Sequence, residues 1–370
     1  MHRTPEEYRA LRNKFKPDNI NMIFLFESPV ADGAYFYDPK NHQNDFVFKT
    51  MMRLIDFKYN HLNEQIKLQG LKKFKETGYY IIDSVYEALD SELAPKKKEG
   101  TILKNYDNLI DDLKDISADK KHIPIILVKS NLFALLNSRL KTSEFNVINE
   151  SIVVPYLAHG KEDKFLKKLM EVFICQVIIV NSNLKSYYCS YGIPHEHSVK
   201  GKNVKAIILG SDPSNFSNHG KTIVMTHVFD LQNPRAQYFS SINNNIRLLG
   251  LNKDNIYVQN VVRNYMTKET ADNRLWFDFA ELWKPLLLED LDKLDPKKEL
   301  PVFATAECVL KALLNLPDEK KIPANKYYND RIIVKPEENY LGRTLIPCFR
   351  GHYKYSEFPL YVEYIKQFVK

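Results

Sequence analysis

The chain has only four cysteines in 370 residues, Cys175, Cys189, Cys308 and Cys348, and no C-x-x-C pair among them. That spacing removes the usual basis for a structural zinc or iron–sulphur site, so neither a metal nor a cofactor is expected. An apolar signal-peptide core is missing as well. Residues 1–16 read instead as a charged amphipathic helix entered at Thr4-Pro5-Glu6-Glu7. No apolar run is long enough for a bilayer, so no membrane partner is expected. Together these absences lead to the expectation of a reduced, cytoplasmic protein without disulfides. Charge of one sign is not in large excess either. The net charge of +7 suits an anionic partner without requiring one.

What is present fits an ordinary globular chain, 44% hydrophobic and 27% charged, and its length is comfortable for two domains. Short apolar runs read as buried strands at 22–26, 79–83 and 123–128, with 146–154 extended. Helical periodicity occupies about 46–57, 66–77, 105–117, 130–139 and 161–172, and residues 95–99 read as a Lys-rich loop. The second half repeats the order. Strands at 204–209, 256–260 and 302–305 alternate with helices at about 240–249, 276–293 and 306–314, before residues 345–352 and a closing helix from about 358. This alternation predicts an α/β protein of two three-layer domains with mainly parallel central sheets, spanning 1–173 and 204–370. Residues 174–203, with Gly192, Pro194 and Gly201, read as the junction, and the run 177–180 within them reads as an optional strand of either domain.

The stretch that organises the second half is 204–216, Val-Lys-Ala-Ile-Ile-Leu-Gly-Ser-Asp-Pro-Ser-Asn-Phe. A buried strand that ends in a Gly/Pro turn is where open α/β sheets place ligand chemistry. Pro213 fixes its own φ and pushes Asp212 towards extended geometry, which holds a carboxylate on a stiff loop. The competing reading is an Asx-turn from Asp212 to its own backbone. Asp212, His219-Gly220, Asn260 and the 350–352 loop all fall at the carboxyl ends of predicted strands. A carboxylate there orients water or stabilises a cationic sugar, and an amide offers both a donor and an acceptor to a pyrimidine edge. A cation or imidazole near the base stabilises its departing anion.

This arrangement resembles the uracil-DNA glycosylase superfamily. The family's Gly-Gln-Asp-Pro-Tyr-His loop is similar to Gly-Ser-Asp-Pro-Ser-Asn at 210–215, and its Ala-His-Gly to Asn218-His219-Gly220. The strand end Leu-Leu-Asn-Thr is similar to 257–261, and the later His/Asn-rich segment and Gly-Trp-x-x-Phe helix start resemble 268–279. The resemblance implies a water-orienting or cation-stabilising role for Asp212 and a base-reading role for Asn260. It also implies base contacts from Gly210, Ser211, Ser214, Phe216 and Arg350. The final His-Pro-Ser-Pro loop is replaced by residues 348–353, where His352 or Arg350 takes the place of the catalytic imidazole. The aromatic that crowds carbon 5 of the base is Ser214 here, which leaves room for a 5-substituted pyrimidine. The first half resembles a more distant copy, with Glu27 in the place of Asp212, Asp83 in the place of Asn260 and His159 in the final loop. Tyr35-Phe36-Tyr37 reads as core packing, with Tyr35 as the competing candidate to stack a flipped base.

The function so implied is a DNA glycosylase acting on a flipped uracil-like or 5-modified base, in repair or in defence against phages with modified DNA. Its partner is DNA, single- or double-stranded. Two other readings compete: a nucleic-acid sensor that does not cut, and a nucleoside- or nucleotide-processing enzyme. Lys96-Lys97-Lys98 and the lysines of 161–168 read as solvated faces or phosphate contacts. His195-Glu196-His197 reads as a loop pair more readily than a metal site, and Trp276 and Trp283 as one buried helix face.

Overall fold

The computed structural model describes residues 3–29, 35–43, 45–89, 93–117, 122–157, 160–199, 203–217, 219–231, 239–315, 322–350 and 353–369. The chain divides into two compact units, Met1–Phe173 and Ile174–Lys370. The boundary falls within a helix, Glu162–Val180, and segment 174–203, expected as a junction, belongs to the second unit. It does so because its backbone pairs there: residues 188–189 form a ladder with 265–266, and His195 and His197 bridge to His227 and Val258.

The first unit runs α1 (Pro5–Asn13), β1 (Met22–Phe26), α2 (Phe46–Leu54), α3 (Glu64–Glu76), β2 (Tyr79–Asp83), α4 (Pro95–Lys104), α5 (Tyr106–Ile116), β3 (Ile125–Leu127), α6 (Ser130–Thr142) and the start of α7 (Glu162–Val180), whose last seven residues belong to the second unit. The start of α1 is written in its residues: Thr4 and Glu7 form a reciprocal capping box, and Pro5 supplies a preset φ. β1 is central in a parallel sheet of order β2-β1-β3. Val147 and Val154 extend it by parallel bridges to Ile125 and Val128. Consecutive residues of β1 and β3 are buried, so both faces of the sheet are covered.

Two sequence expectations fail here. Residues 95–99 are not a loop but the first turns of α4, because Pro95 sits at the helix entry and Ile102 buries the inner face while Lys96 and Lys97 stay in solvent. Residues 177–180 are not a strand. An apolar stripe at Phe165, Leu169, Val172, Cys175 and Ile178 keeps helical spacing through the β-branched run, leaving Val177 and Val180 exposed.

The second unit continues with α8 (Ser182–Lys185), β4 (Tyr188–Cys189), β5 (Ala206–Gly210), α9 (Ser240–Arg247), β6 (Ile256–Asn260), β7 (Tyr265–Met266), α10 (Trp276–Leu294), β8 (Val302–Ala304), α11 (Glu307–Leu313), α12 (Ala324–Asn329), β9 (Leu345–Pro347) and α13 (Pro359–Lys366). Its main sheet is parallel throughout, in the order β6-β5-β8-β9, and every strand residue in it is buried. β4 and β7 form a separate antiparallel pair. Both units therefore place their first strand inside, their second strand outside it, and the third on its other side, with a fourth segment beyond. The protein is α/β with mainly parallel sheets. Among the described residues, no helix is long and apolar enough to cross a membrane.

Candidate functional site

A parallel sheet collects the carboxyl ends of its strands along one edge, and the second unit has a cavity of about 470 Å³ at that edge. Ser211, Ser214 and Asn215 reach it from the loop after β5, and Glu269 and Thr270 from the segment after β7. Thr305 comes from the β8–α11 turn, Glu307 and Cys308 from the first turn of α11, and Phe349, Arg350 and Tyr353 from the chain after β9. Phe229 completes the wall.

Gly210 explains how Phe229 and Asn260 meet. It is paired with Asn260 across β5 and β6, and a Cβ on it would overlap the Asn260 amide oxygen and the edge of the Phe229 ring. Phe229 and Asp230 both have left-handed backbones, with φ of 57° and 54°, and this strained turn delivers the ring against the glycine. Asn260 is buried and its Oδ1 has no hydrogen-bond partner. A buried amide oxygen without a donor costs free energy, of order 1–3 kcal/mol, that an N–H from a ligand would recover.

Asp212 is only 3% exposed and does not line the cavity. Its Oδ1 accepts from the Ser214 backbone N–H at 2.9 Å, which is the Asx-turn geometry. Its Oδ2 accepts from the Trp276 indole N–H at 3.0 Å and from the Thr270 hydroxyl. Because Thr270 spends its proton on Asp212, the Ser211 hydroxyl 3.1 Å away donates to Thr270 Oγ1. The result is a directed chain, Ser211 to Thr270 to Asp212, whose outer hydroxyls line the cavity while the charge lies behind them. Burial pushes the Asp212 carboxyl up, and the hydrogen bonds from Thr270, Ser214 and Trp276 act against that shift by favouring the charged form. Burial, with a contribution from Asp212, pushes the Cys308 thiol up to about 12, so Cys308 is no nucleophile at neutral pH.

No protein-family model matches the chain. No curated protein matches it either. The reading of the site therefore rests on its geometry.

Of the residues singled out in the sequence, Ser211, Ser214 and Arg350 line the cavity; Gly210 and Asn260 do not line it, but they lie beside Phe229, which does. Phe216 does not join them. It is half-buried and bridges to Thr222, where hydrogen bonds across 215–223 fold the chain into a small hairpin. His352 lies outside the described residues, as does His159. Trp276 is buried like Trp283, but its indole N–H holds Asp212, a role that core packing alone does not predict. His197 Nε2 donates to the Lys253 carbonyl at 2.6 Å, and no cluster of three or more His, Cys, Asp or Glu among the described residues is arranged to hold a metal ion.

Sequence reasoning missed Phe229, Thr270, Thr305, Cys308 and Tyr353. A strand ending in glycine was the one available signal, since it reserves space for something unnamed.

The first unit is not a simple copy of this site. In β1–β2 Phe26 pairs with Asp83, whereas in β5–β6 Gly210 pairs with Asn260. Asp83 is thus level with Asn260, but Glu27 is level with Ser211 rather than Asp212. A buried phenyl group occupies the level where the second unit needs glycine. Glu27 is buried; it accepts from the Lys129 ammonium and from Asn131 Nδ2 at 2.5 Å. Tyr35, Phe36 and Tyr37 are all core, and the Tyr37 hydroxyl accepts from the Ile81 N–H at 2.8 Å.

Proposed function

We propose that the second unit is a DNA glycosylase of the uracil-DNA glycosylase type, which binds a flipped pyrimidine in this cavity and hydrolyses its N-glycosidic bond. The observation that carries this reading is the conjunction at Gly210, where a buried amide oxygen without a donor lies beside an aromatic ring. A planar heterocycle lying on Phe229 would supply the missing N–H to Asn260 Oδ1. Arg350 at the rim would stabilise the departing base anion. Water held by Ser211 and Thr270 would be polarised by Asp212 through the hydroxyl chain, so Asp212 acts as a positioning group behind the reacting atoms. The cavity is of drug-ligand size, and Ser214 brings no aromatic wall to it, which favours a base with a 5-substituent over bare uracil.

The test is base release from DNAs carrying uracil, mismatched thymine, 5-hydroxymethylcytosine or glucosylated phage bases, scored as alkali-labile breaks. Breaks on one substrate are expected, falling at least about a hundredfold in Asp212→Asn and in Asn260→Ala. Efficient release of plain uracil, with none from 5-substituted bases, would sink the assignment of Ser214. The saturation of Asp212 by three donors favours one other reading, a sensor that binds the base and leaves it attached. That reading requires tight DNA binding, no breaks on any substrate, and full binding by Asp212→Asn.

A further inference from the structure

The mouth of the cavity continues into a surface that base binding does not use. β4 and β7 pair antiparallel, and the β7 residue Met266 donates its N–H to Ser214 Oγ at 2.8 Å, at the cavity wall. Just beyond β7, Lys268 sets its ammonium 5.3 Å from the Tyr187 ring centre, and the next two residues, Glu269 and Thr270, line the cavity. On the far side of the pair, Tyr191 stands edge-on to Tyr265 at 5.5 Å and is 42% exposed. The Tyr265 hydroxyl accepts from the Met225 N–H at 2.7 Å, and the two residues before Met225 in the chain, Ile223 and Val224, are 42% and 53% exposed. The three segments that build this surface, 185–193, 219–227 and 265–268, carry Lys185, Lys221 and Lys268 and no carboxylate.

We propose that this surface is a track for single-stranded DNA, stacking the nucleotides next to the one held in the cavity. The proposal rests on the base-binding reading of that cavity and adds the strandedness of its substrate. Exposed aromatic and aliphatic side chains interleaved with lysines match a chain of bases with open π faces strung on phosphates. A duplex keeps those faces stacked on one another and offers Tyr191 nothing to cover. Continuity decides the direction: the track meets the cavity where the first carboxylate, Glu269, appears.

The experiment is fluorescence anisotropy of the full chain with a fluorescein-labelled oligothymidine, against the same oligonucleotide annealed to its complement. The single strand is expected to bind more tightly than the duplex. Tyr191→Ala weakens single-strand binding about tenfold, within the range for loss of one stacked base, whereas Tyr191→Phe binds as the unaltered protein does. Lys221→Gln with Lys268→Gln lowers the slope of log affinity against log salt by about 1.4. Val224→Glu, a change at a mostly exposed side chain, weakens binding without lowering the melting temperature. Equal affinity for duplex and single strand, or unchanged binding by Tyr191→Ala, overturns the track. Base release measured in parallel separates the two readings. Release with unaltered binding by Tyr191→Ala removes the track alone, and no release with weakened binding removes the chemistry alone.

Discussion

Two single residues carry most of the information about their units. Gly210 is the smallest side chain on its strand, and the room it leaves is taken by Asn260 and Phe229. Gly210→Ala should therefore cost about 1–3 kcal/mol through overpacking and close the approach to Asn260. Thermal melting reads the first effect and base release the second; a variant with unaltered melting would mean that the Phe229 turn yields freely. The other is Asp83 in the first unit, buried at the end of β2, where burial pushes its carboxyl up to about 7 against an opposing pull from Arg12. The folded chain then holds a proton that the unfolded chain has released, between about pH 4 and pH 7. Stability from this group falls as pH rises through that window and levels off above it. Asp83→Asn should flatten that loss and leave the protein more stable at pH 8, by an amount on the order of a few kcal/mol. Urea midpoints at pH 5 and pH 8 measure it, and an unchanged difference between them would rule the assignment out.

At the scale of elements, the strands of the two parallel sheets were legible because each is a short, mostly apolar run, buried but for the first residue of β1 and of β2. β1, β2 and β6 fall where their residues predict. Helix boundaries were less so. In α4 three lysines in a row look like a loop, since no apolar period shows until Ile102. In α7 a run of β-branched residues looks like a strand until the stripe from Phe165 is followed through it. Gly100 lies inside α4, and an added Cβ there meets nothing within 4 Å. Gly100→Ala should stabilise the protein by about 0.5–1 kcal/mol, read as a higher urea midpoint. A lower midpoint would show that residues 95–104 are not helical in solution.

For the whole molecule, the two units share a strand order, while the register differs between them. Phe26 fills in the first unit the level that Gly210 opens in the second, and Glu27 is engaged by Lys129 and Asn131. Glu27→Gln should accordingly lower stability by about 1–3 kcal/mol and leave base release unchanged. Loss of release with an unaltered melting temperature would instead give the first unit a part in the chemistry.

The amino-acid sequence by itself determined the class of fold, the strand positions of the two parallel sheets and the edge at which Asp212, Asn260 and Arg350 gather, because burial and turn chemistry are local properties of a chain. Only the tertiary structure decided that Asp212 stands behind Thr270 and Ser211, that Phe229 closes on Gly210 and that Glu27 is one residue out of step with Asp212. Those facts depend on strand register and on contacts between residues far apart in the chain, such as Trp276 with Asp212, which no local pattern encodes.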